Sequence, residues 1–139
     1  MPNTLEMALQ SSNEIRAVIK NQAPFPILHV NLQWTRFTGQ AQSDLENVDL
    51  SYALGLSEND ARHLSQAIQE VSLGMGPVSM ILLVGNLVRS GKLVSQQCYL
   101  KILPLTSDSE NISHLLLSLA DLSPSPTTSA NSLQVGIEY

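Results

Sequence analysis

The stretch from Phe25 to Asp49, FPILHVNLQWTRFTGQAQSDLENVD, decides the fold because a strand pattern is followed directly by a helix pattern. Its apolar run from Pro26 to Val30 is typical of a half-buried strand. Asn31 ends the run, since its side chain can bond nearby backbone groups and begin a helix. Trp34 and Phe37 lie three residues apart, so a helix places both on the side that packs against a sheet.

The segments on either side predict further elements. Gly39 ends the helix that follows Asn31, because glycine takes the left-handed conformation at little cost. Ile15 to Lys20 has the pattern of a strand that forms a hairpin with Pro26 to Val30. Thr4 to Ser12 predicts a short helix with one apolar side, outside the core domain.

A long helix is predicted to begin at Ser57, whose hydroxyl can accept a hydrogen bond from the amide of Asp60. It carries an apolar stripe at spacings of three and four, formed by Ala61, Leu64, Ile68 and Val71. Between the two helices, residues 43–54 predict two short helical turns. After the long helix, the apolar segments 78–88, 93–105 and 112–119 predict a meander of three antiparallel strands.

This order predicts an α+β fold, in which five strands form one antiparallel sheet with helices on a single face. At 139 residues, the chain is long enough for one domain with a real core. We assign residues 1–13 to an N-terminal flanking helix and residues 14–121 to the domain. Residues 122–139, which begin LSPSPTTSANS, have the composition of a flexible linker.

Composition excludes several classes of function. A net charge of -5 with seven Lys and Arg residues argues against nucleic-acid binding through this domain. Cys98 is the only cysteine, so an internal disulfide is impossible, and an intracellular location, cytoplasmic or nuclear, is expected. The longest apolar run, Met80 to Val88, is far shorter than the roughly 20 residues that span a bilayer. We therefore expect no membrane partner.

The order of elements and the motif HVNLQWTRFTG resemble a PAS domain, a sensing and partner-binding module. The resemblance covers roughly Glu14 to Asp121. Within that superfamily, the segment Thr38 to Gly55 is similar without a gap to the light-oxygen-voltage subclass, which binds flavin. The resemblance implies the PAS fold and a role in sensing or in protein interaction.

The chain departs from that subclass at the flavin contacts. The resemblance places the flavin-reactive cysteine at Leu50 and the arginine that pairs with the flavin phosphate at Ser51. It places the glutamine beside that arginine at Leu54, and the late glutamine that bonds the flavin ring at Leu119. Leucine has no thiol, which excludes adduct photochemistry at that position. Buried polar groups without partners cost about 1 to 3 kcal/mol each, so we predict no tightly bound flavin and no other cofactor.

These substitutions create a more apolar interior. We predict that it is lined by Leu50, Leu54, Cys98 and Leu119. These side chains either fill the interior themselves, as close packing favours, or leave room for a small apolar ligand.

The remaining chemistry favours a non-enzymatic domain without a metal. His63 lies on the long helix, where some PAS domains place a haem ligand, but it adjoins Arg62 and is expected to be a surface residue. His29 and His114 are expected to be strand residues with hydrogen bonds. The acidic residues between Asp44 and Asp49 have no nucleophile beside them.

A sheet with helices on one face leaves its other face to be covered. We predict a dimer surface there, formed by Leu5, Met7 and Leu9 of the flanking helix together with Leu93, Tyr99, Leu103, Leu115 and Leu117 of the strands. Alternatively, the flanking helix covers the sheet of its own chain in a monomer.

Two functions follow as hypotheses. The first is a PAS sensory and interaction module that mediates homodimerisation or heterodimerisation with another PAS domain, within a larger signalling or transcription-regulating protein. The second is a receptor domain that binds haem, an altered flavin or a small apolar metabolite and transmits occupancy to the flanking helix.

Overall fold

A single antiparallel sheet organises the chain in the computed structural model, which describes residues 3–46, 48–76, 78–89, 91–107 and 111–121. The predicted linker, residues 122–139, lies outside the described residues. The strands are β1 (Ile15–Lys20), β2 (Ile27–Val30), β3 (Val78–Arg89), β4 (Lys92–Thr106) and β5 (Ile112–Asp121). They lie in the order β2-β1-β5-β4-β3, and every neighbouring pair is antiparallel. The five-stranded sheet predicted from the sequence is confirmed.

Most of the helices lie against one face of this sheet, and one short flanking helix lies against the other face. They are α1 (Leu5–Ala8), α2 (Leu32–Thr38), α3 (Leu50–Ala53) and α4 (Glu58–Ser72), with a short 3₁₀ helix at Gln42–Leu45. The core cluster joins α2, α3 and α4 to one face of the sheet, whereas Ala8 of α1 packs on the opposite face. The α+β fold with helices on one face and an N-terminal flanking helix is therefore confirmed. None of the helices among the described residues is long and apolar enough to cross a membrane.

Asn31 joins the first strand to the second helix, as its position at the end of β2 suggests. Its Oδ1 accepts hydrogen bonds from the amides of Trp34 (2.9 Å) and Arg16 (3.1 Å). Its Nδ2 donates to the carbonyl of Glu14 at 2.7 Å. One side chain thus caps α2 and fixes the start of β1.

The long helix α4 begins as predicted, because Ser57 Oγ accepts from the amide of Asp60 at 3.1 Å. Its buried residues are Leu64, Ala67, Ile68 and Val71. The flanking helix α1 is shorter than the predicted segment Thr4 to Ser12. The hydroxyl of Ser12 accepts a hydrogen bond from the amide of Glu14 at 3.0 Å, a local turn that competes with helix.

The alternation of β5 corrects one sequence prediction. Leu115 and Leu117 were expected on the uncovered face, but both are fully buried against the helices, together with Leu119. Leu116 points the other way and packs near α1. Since successive side chains of a strand point to opposite faces, Leu115 and Leu117 must share the face of Leu119 and cannot belong to an outer surface. We call the helix-covered side the inner face and the other side the outer face.

The edge of β3 is closed by the helical layer. The amide of Asn86 donates to the carbonyl of Leu54 at 2.9 Å, and Asn86 Nδ2 donates to the carbonyl of Gly55 at 2.6 Å. The amide of Val84 donates to Asp60 Oδ2 at 3.1 Å. These bonds occupy donors that an edge strand would otherwise offer to another chain.

Candidate functional site

The predicted pocket-lining residues lie together in the inner core. Leu50, Leu54, Cys98 and Leu119 all belong to one cluster of buried side chains. Each is at most 4% exposed. Leu50 begins α3, whose amides at Ser51 and Tyr52 are capped by the carboxylate of Asp49. The four side chains therefore belong to the buried apolar core, and of the four only Leu50 also lines one of the clefts described below.

Beside this interior lies a cleft of about 230 Å³ between the β1–β2 connection, α3 and α4. Its apolar wall includes Phe25, Leu50, Leu64 and Ile68. Asp49 is the only charged residue among those that line it, and its carboxylate is already bonded to the α3 amides. This lining suits a small uncharged or apolar group. It offers no cation to a phosphate.

A larger, open groove of about 610 Å³ runs between the α1–β1 connection and the β2–α2 junction. Its wall is mostly polar and includes Ser11, Ser12, Asn13 and His29. The amide of Asn31, which also lines it, is engaged with both β1 and α2. No sequence pattern pointed to this groove.

The three histidines lie on three different elements, β2, α4 and β5. His63 is exposed on α4, as expected, while His29 and His114 are half-buried in strands. Within the described ranges, no group of three or more His, Cys, Asp or Glu side chains could hold a metal ion. Cys98 is buried and takes part in no disulfide.

The outer face of the sheet has two halves. The first, which we call the covered half, lies under α1. It consists of Val18, Leu103, Leu105 and Leu116, which pack with Leu5 and Ala8 of the helix. The backbone amide of Thr106 also donates to the carbonyl of Asn3 at 2.8 Å, which fixes the chain at the start of α1.

The second half, which we call the open half, lies on the β3–β4 hairpin. It is formed by Leu82, Val84, Val88, Leu93 and Tyr99. Leu82 pairs with Tyr99 and Val88 with Leu93, so each pair lies on one face. Leu82 is 51%, Val88 62% and Leu93 71% exposed, which is unusual for neighbouring large apolar residues.

The predicted dimer residues are therefore distributed over different environments. Leu5 and Leu103 are partly buried in the covered half, while Met7 and Leu9 are 39% and 46% exposed. Leu93 and Tyr99 lie in the open half. Six of the eight predicted residues therefore lie on or beside the outer face. The other two, Leu115 and Leu117, lie on the inner face.

Sequence reasoning missed Leu82, Val84 and Val88. They alternate with Leu83 and Leu87, which are buried on the inner face. Because the residues on both faces are apolar, the sequence shows no period of two here and does not reveal which of them would be exposed.

Comparison with known proteins gives a match in structure and none in sequence. No family model matches the chain, and no curated protein sequence matches it. The LOV domain from an Erythrobacter litoralis EL346 blue-light activated histidine kinase superposes with a TM-score of 0.64 at 15% identity, covering 82% of this chain and 100% of that one.

Two further solved structures have the same architecture. A Rhodobacter sphaeroides LOV protein gives a TM-score of 0.69 at 15% identity and covers 88% of this chain and 66% of that one. The PAS domain of the fruit-fly ELK potassium channel gives 0.66 at 12% identity and covers 86% and 95%. At such identities the likeness concerns the fold. Together with the sheet order and the helical layer, it shows that this chain has the PAS fold, in the form that light-oxygen-voltage domains share.

Proposed function

We propose that the chain is a non-catalytic PAS sensory and interaction module that dimerises through the outer face of its sheet, within a larger intracellular signalling or transcription-regulating protein. The partner is a second copy or another PAS domain. The single observation that carries the proposal is the open half, whose exposed apolar side chains share one face of the β3–β4 hairpin in two groups, Leu82 with Val84 and Tyr99, and Val88 with Leu93, on either side of the polar pair Asn86–Ser95.

The energetics support an interaction surface. Each large apolar side chain that moves from water to an interface contributes about 1.5 to 3 kcal/mol when fully buried. Leu82, Val88 and Leu93 are all more than half exposed, so much of that gain is available to a partner. The paired strands β3 and β4 also hold the backbone that carries these side chains in one conformation, which reduces the entropy lost on binding.

Substitution of Leu93, the most exposed side chain of the open half, tests the proposal. Leu93→Asp in the full chain places a charge in the open half and is expected to weaken self-association at least tenfold, as measured by sedimentation equilibrium. Tyr52→Asp is the matched control, because Tyr52 is 82% exposed on α3, away from the outer face. A wild-type chain that stays monomeric at every concentration and with candidate PAS partners would contradict the proposal, as would equal effects of both variants.

The cleft beside Leu50 favours a second candidate, a receptor domain for a small apolar ligand. Its volume of about 230 Å³ is smaller than most ligand sites, and its wall is apolar. Occupancy would act on α3 and α4, between which the cleft lies.

Native mass spectrometry together with an absorption spectrum of the purified chain tests this second candidate. A bound mass of a small ligand that is lost in Leu64→Trp, which adds a larger side chain at the wall of the cleft, is the expected result. Ser65→Ala at the same rim is the control. A chain of unmodified mass without absorption beyond that of its aromatic residues would contradict ligand binding in the purified state.

A further inference from the structure

A second cleft adjoins the one beside Leu50 on the helical side of the domain. It has a volume of about 190 Å³ and is lined by Pro24, Pro26, Val48 and Asp49. Pro24 and Asp49 also line the first cleft, of about 230 Å³, so the two clefts share a wall. Together they form a groove between the β1–β2 connection on one side and α3 and α4 on the other, which we call the helical groove.

The helical groove consists of two small compartments with mostly apolar walls. Leu64 and Ile68 of α4 line the first compartment, and Pro26 and Val48 line the second. Each compartment is smaller than the roughly 300 to 1,000 Å³ of most small-molecule sites. Pockets that take single anchoring side chains of a protein partner are common at the centres of interfaces. The size of the compartments therefore favours side chains of a partner over a whole ligand.

One wall of the groove is held in a strained conformation. Phe25, which lines the first cleft, has a φ of +57°, in the region that bulky side chains rarely adopt. Its amide donates to the carbonyl of Gln22 at 2.7 Å, and the amide of Lys20 donates to the carbonyl of Pro26 at 3.0 Å. Strain of this kind costs free energy and is found most often where a protein clamps a ligand. The fixed wall also reduces the entropy that a partner loses on docking.

The groove lies in the acidic part of the chain. Residues 37–61 contain five Asp and Glu residues and no Lys or Arg, so this segment alone has a charge of -5, equal to the net charge of the whole chain. Within the described part of the chain, none of these five carboxylates is in an ion pair. Lys20 and Arg62, the nearest cations in sequence, line neither cleft. The charge of the groove therefore favours a partner with a cation.

Asp49 lies at the wall that the two clefts share and is exposed. Its Oδ2 accepts from the amides of Ser51 at 3.1 Å and Tyr52 at 3.4 Å. Both bonds use the same oxygen, so Oδ1 makes no hydrogen bond within the described ranges and can accept from a partner. A carboxylate beside an apolar wall suits Arg or Lys, because the stem of either side chain packs on apolar surface while its charge meets the carboxylate.

We propose that the helical groove docks a segment of a partner protein that carries an aliphatic side chain for each cleft and an adjoining Arg or Lys for Asp49. This inference goes beyond the proposed dimer and does not rest on it, because the dimer uses the outer face and the groove lies on the opposite side of the sheet. The two surfaces can therefore be occupied at the same time.

Selection of peptides from a random displayed library, with the full chain as the bait, tests the chemistry of the partner. We expect the enriched peptides to share aliphatic residues beside Arg or Lys. One enriched peptide, synthesised with a fluorescent label, then serves as the probe in anisotropy titrations. Its affinity is expected to fall several-fold from low to high ionic strength, because the charged contact is accessible to salt. Selection without a common pattern, or enrichment of acidic peptides, would overturn the inference.

Three variants locate the docking site, and thermal unfolding checks that each is folded. Ser65→Trp adds a large ring at an exposed position that lines the first cleft, and is expected to weaken probe binding at least tenfold. Gln66→Trp makes the same change at the next position of α4, which is exposed and lines neither cleft, and is expected to leave the affinity unchanged. Asp49→Asn keeps an oxygen for the α3 amides but removes the charge, so it should weaken binding several-fold and reduce its salt dependence. Equal effects of the two Trp variants overturn the inference.

Further outcomes separate this inference from the proposed functions. Leu93→Asp changes the outer face and is expected to leave probe affinity unchanged, whether or not the chain dimerises, and a loss of affinity in this variant would place the probe on the outer face and overturn the inference. Residues 86–95, NLVRSGKLVS, combine apolar and basic side chains, so displacement of the probe by this peptide would identify a second copy as the occupant and overturn the assignment to another protein. A bound small molecule that the probe cannot displace, measured by native mass spectrometry, would assign the groove to the second candidate function instead.

Discussion

The two halves of the outer face differ in what lies above them, although one continuous sheet forms both. The covered half packs Val18, Leu105 and Leu116 beneath α1, and all three are at most 1% exposed. The open half has equally apolar side chains that are 37% to 71% exposed at Leu82, Val84, Val88 and Leu93. Composition alone therefore does not decide burial on this face. The presence of a covering element does.

The covering element is short, which explains why the two halves are unequal. Helix α1 has four residues and contacts the sheet through Ala8 and Leu5. At about 1.5 Å per residue it is about 6 Å long, close to the separation of two strands. The hairpin of β3 and β4 lies beyond its reach and needs another cover, from this chain or from a partner.

The halves are also joined to the helical layer in parallel ways. Asn31 ties β1, in the covered half, to α2, and Asn86 ties β3, in the open half, to α3. Each asparagine uses both its oxygen and its nitrogen, since Asn86 Oδ1 accepts from Ser95 Oγ at 2.7 Å. Variants can therefore test separately how much the packed side chains of each half stabilise the fold and how much the hydrogen bonds from each half to the helices do.

The largest expected difference is in packing. Leu116→Ala in the covered half is expected to lower the free energy of unfolding by about 3 kcal/mol, because it leaves a cavity beneath α1. Leu82→Ala in the open half is expected to change it by no more than about 0.5 kcal/mol in the monomer. Urea denaturation at low protein concentration measures both. Similar losses in the two variants would show that the halves are not distinguished by cover.

The attachment of the open half depends on Gly55. Its φ is +61°, and a Cβ at this position would clash with the backbone carbonyl oxygen of Asn86. Gly55→Ala is therefore expected to destabilise the fold by about 2 to 3 kcal/mol, from left-handed strain and from a backbone clash.

Gly74→Ala is the matched control for this variant. Gly74 also has a positive φ, of +81°, but an added Cβ meets no atom within 4 Å. Strain alone predicts a loss of about 1 kcal/mol. Thermal and urea unfolding of both variants measure the difference, and equal losses would mean that the contact between Gly55 and Asn86 contributes little.

Asn31→Ala tests the attachment of the covered half. It removes the acceptor for two amides and the donor to Glu14, and is expected to cost about 2 kcal/mol of unfolding free energy. Asn31→Asp keeps the two accepted bonds and loses only the donated one, so its loss should be smaller. Calorimetric unfolding ranks the variants, and an Asp variant as unstable as the Ala variant would contradict the role of the cap.

The sequence predicted the elements better than it predicted their faces. The cap at Ser57 with the stripe from Leu64 to Val71 located α4, and turn residues separated the strands of the meander. The faces of β3 and β5 were harder, because runs such as MILLV and LLL are apolar at every position and contain no period of two. Leu115 and Leu117 were consequently assigned to the outer face. The face to which their side chains point is fixed only by the pairing of β5 with its neighbours β1 and β4.

The sequence likewise predicted one part of the candidate site and missed the other. The interior around Leu50, Leu54 and Leu119 followed from aligning the chain with a known motif, in which each position has a fixed place. The open half had no such motif. Its exposure results from the short reach of α1, a tertiary property that local sequence does not encode.

The smallest expected effect concerns the one ion pair described at the margin of the covered half. Arg16 Nη2 lies 2.7 Å from Glu14 Oε1, but the Glu14 side chain is 52% exposed and competes with water. Glu14→Gln is therefore expected to lower the unfolding free energy by less than about 1 kcal/mol, and added salt should reduce the difference further. Urea denaturation at low and high ionic strength measures it. A loss as large as that of Asn31→Ala would indicate that charge, rather than packing and backbone hydrogen bonds, holds β1 in place beneath its cover.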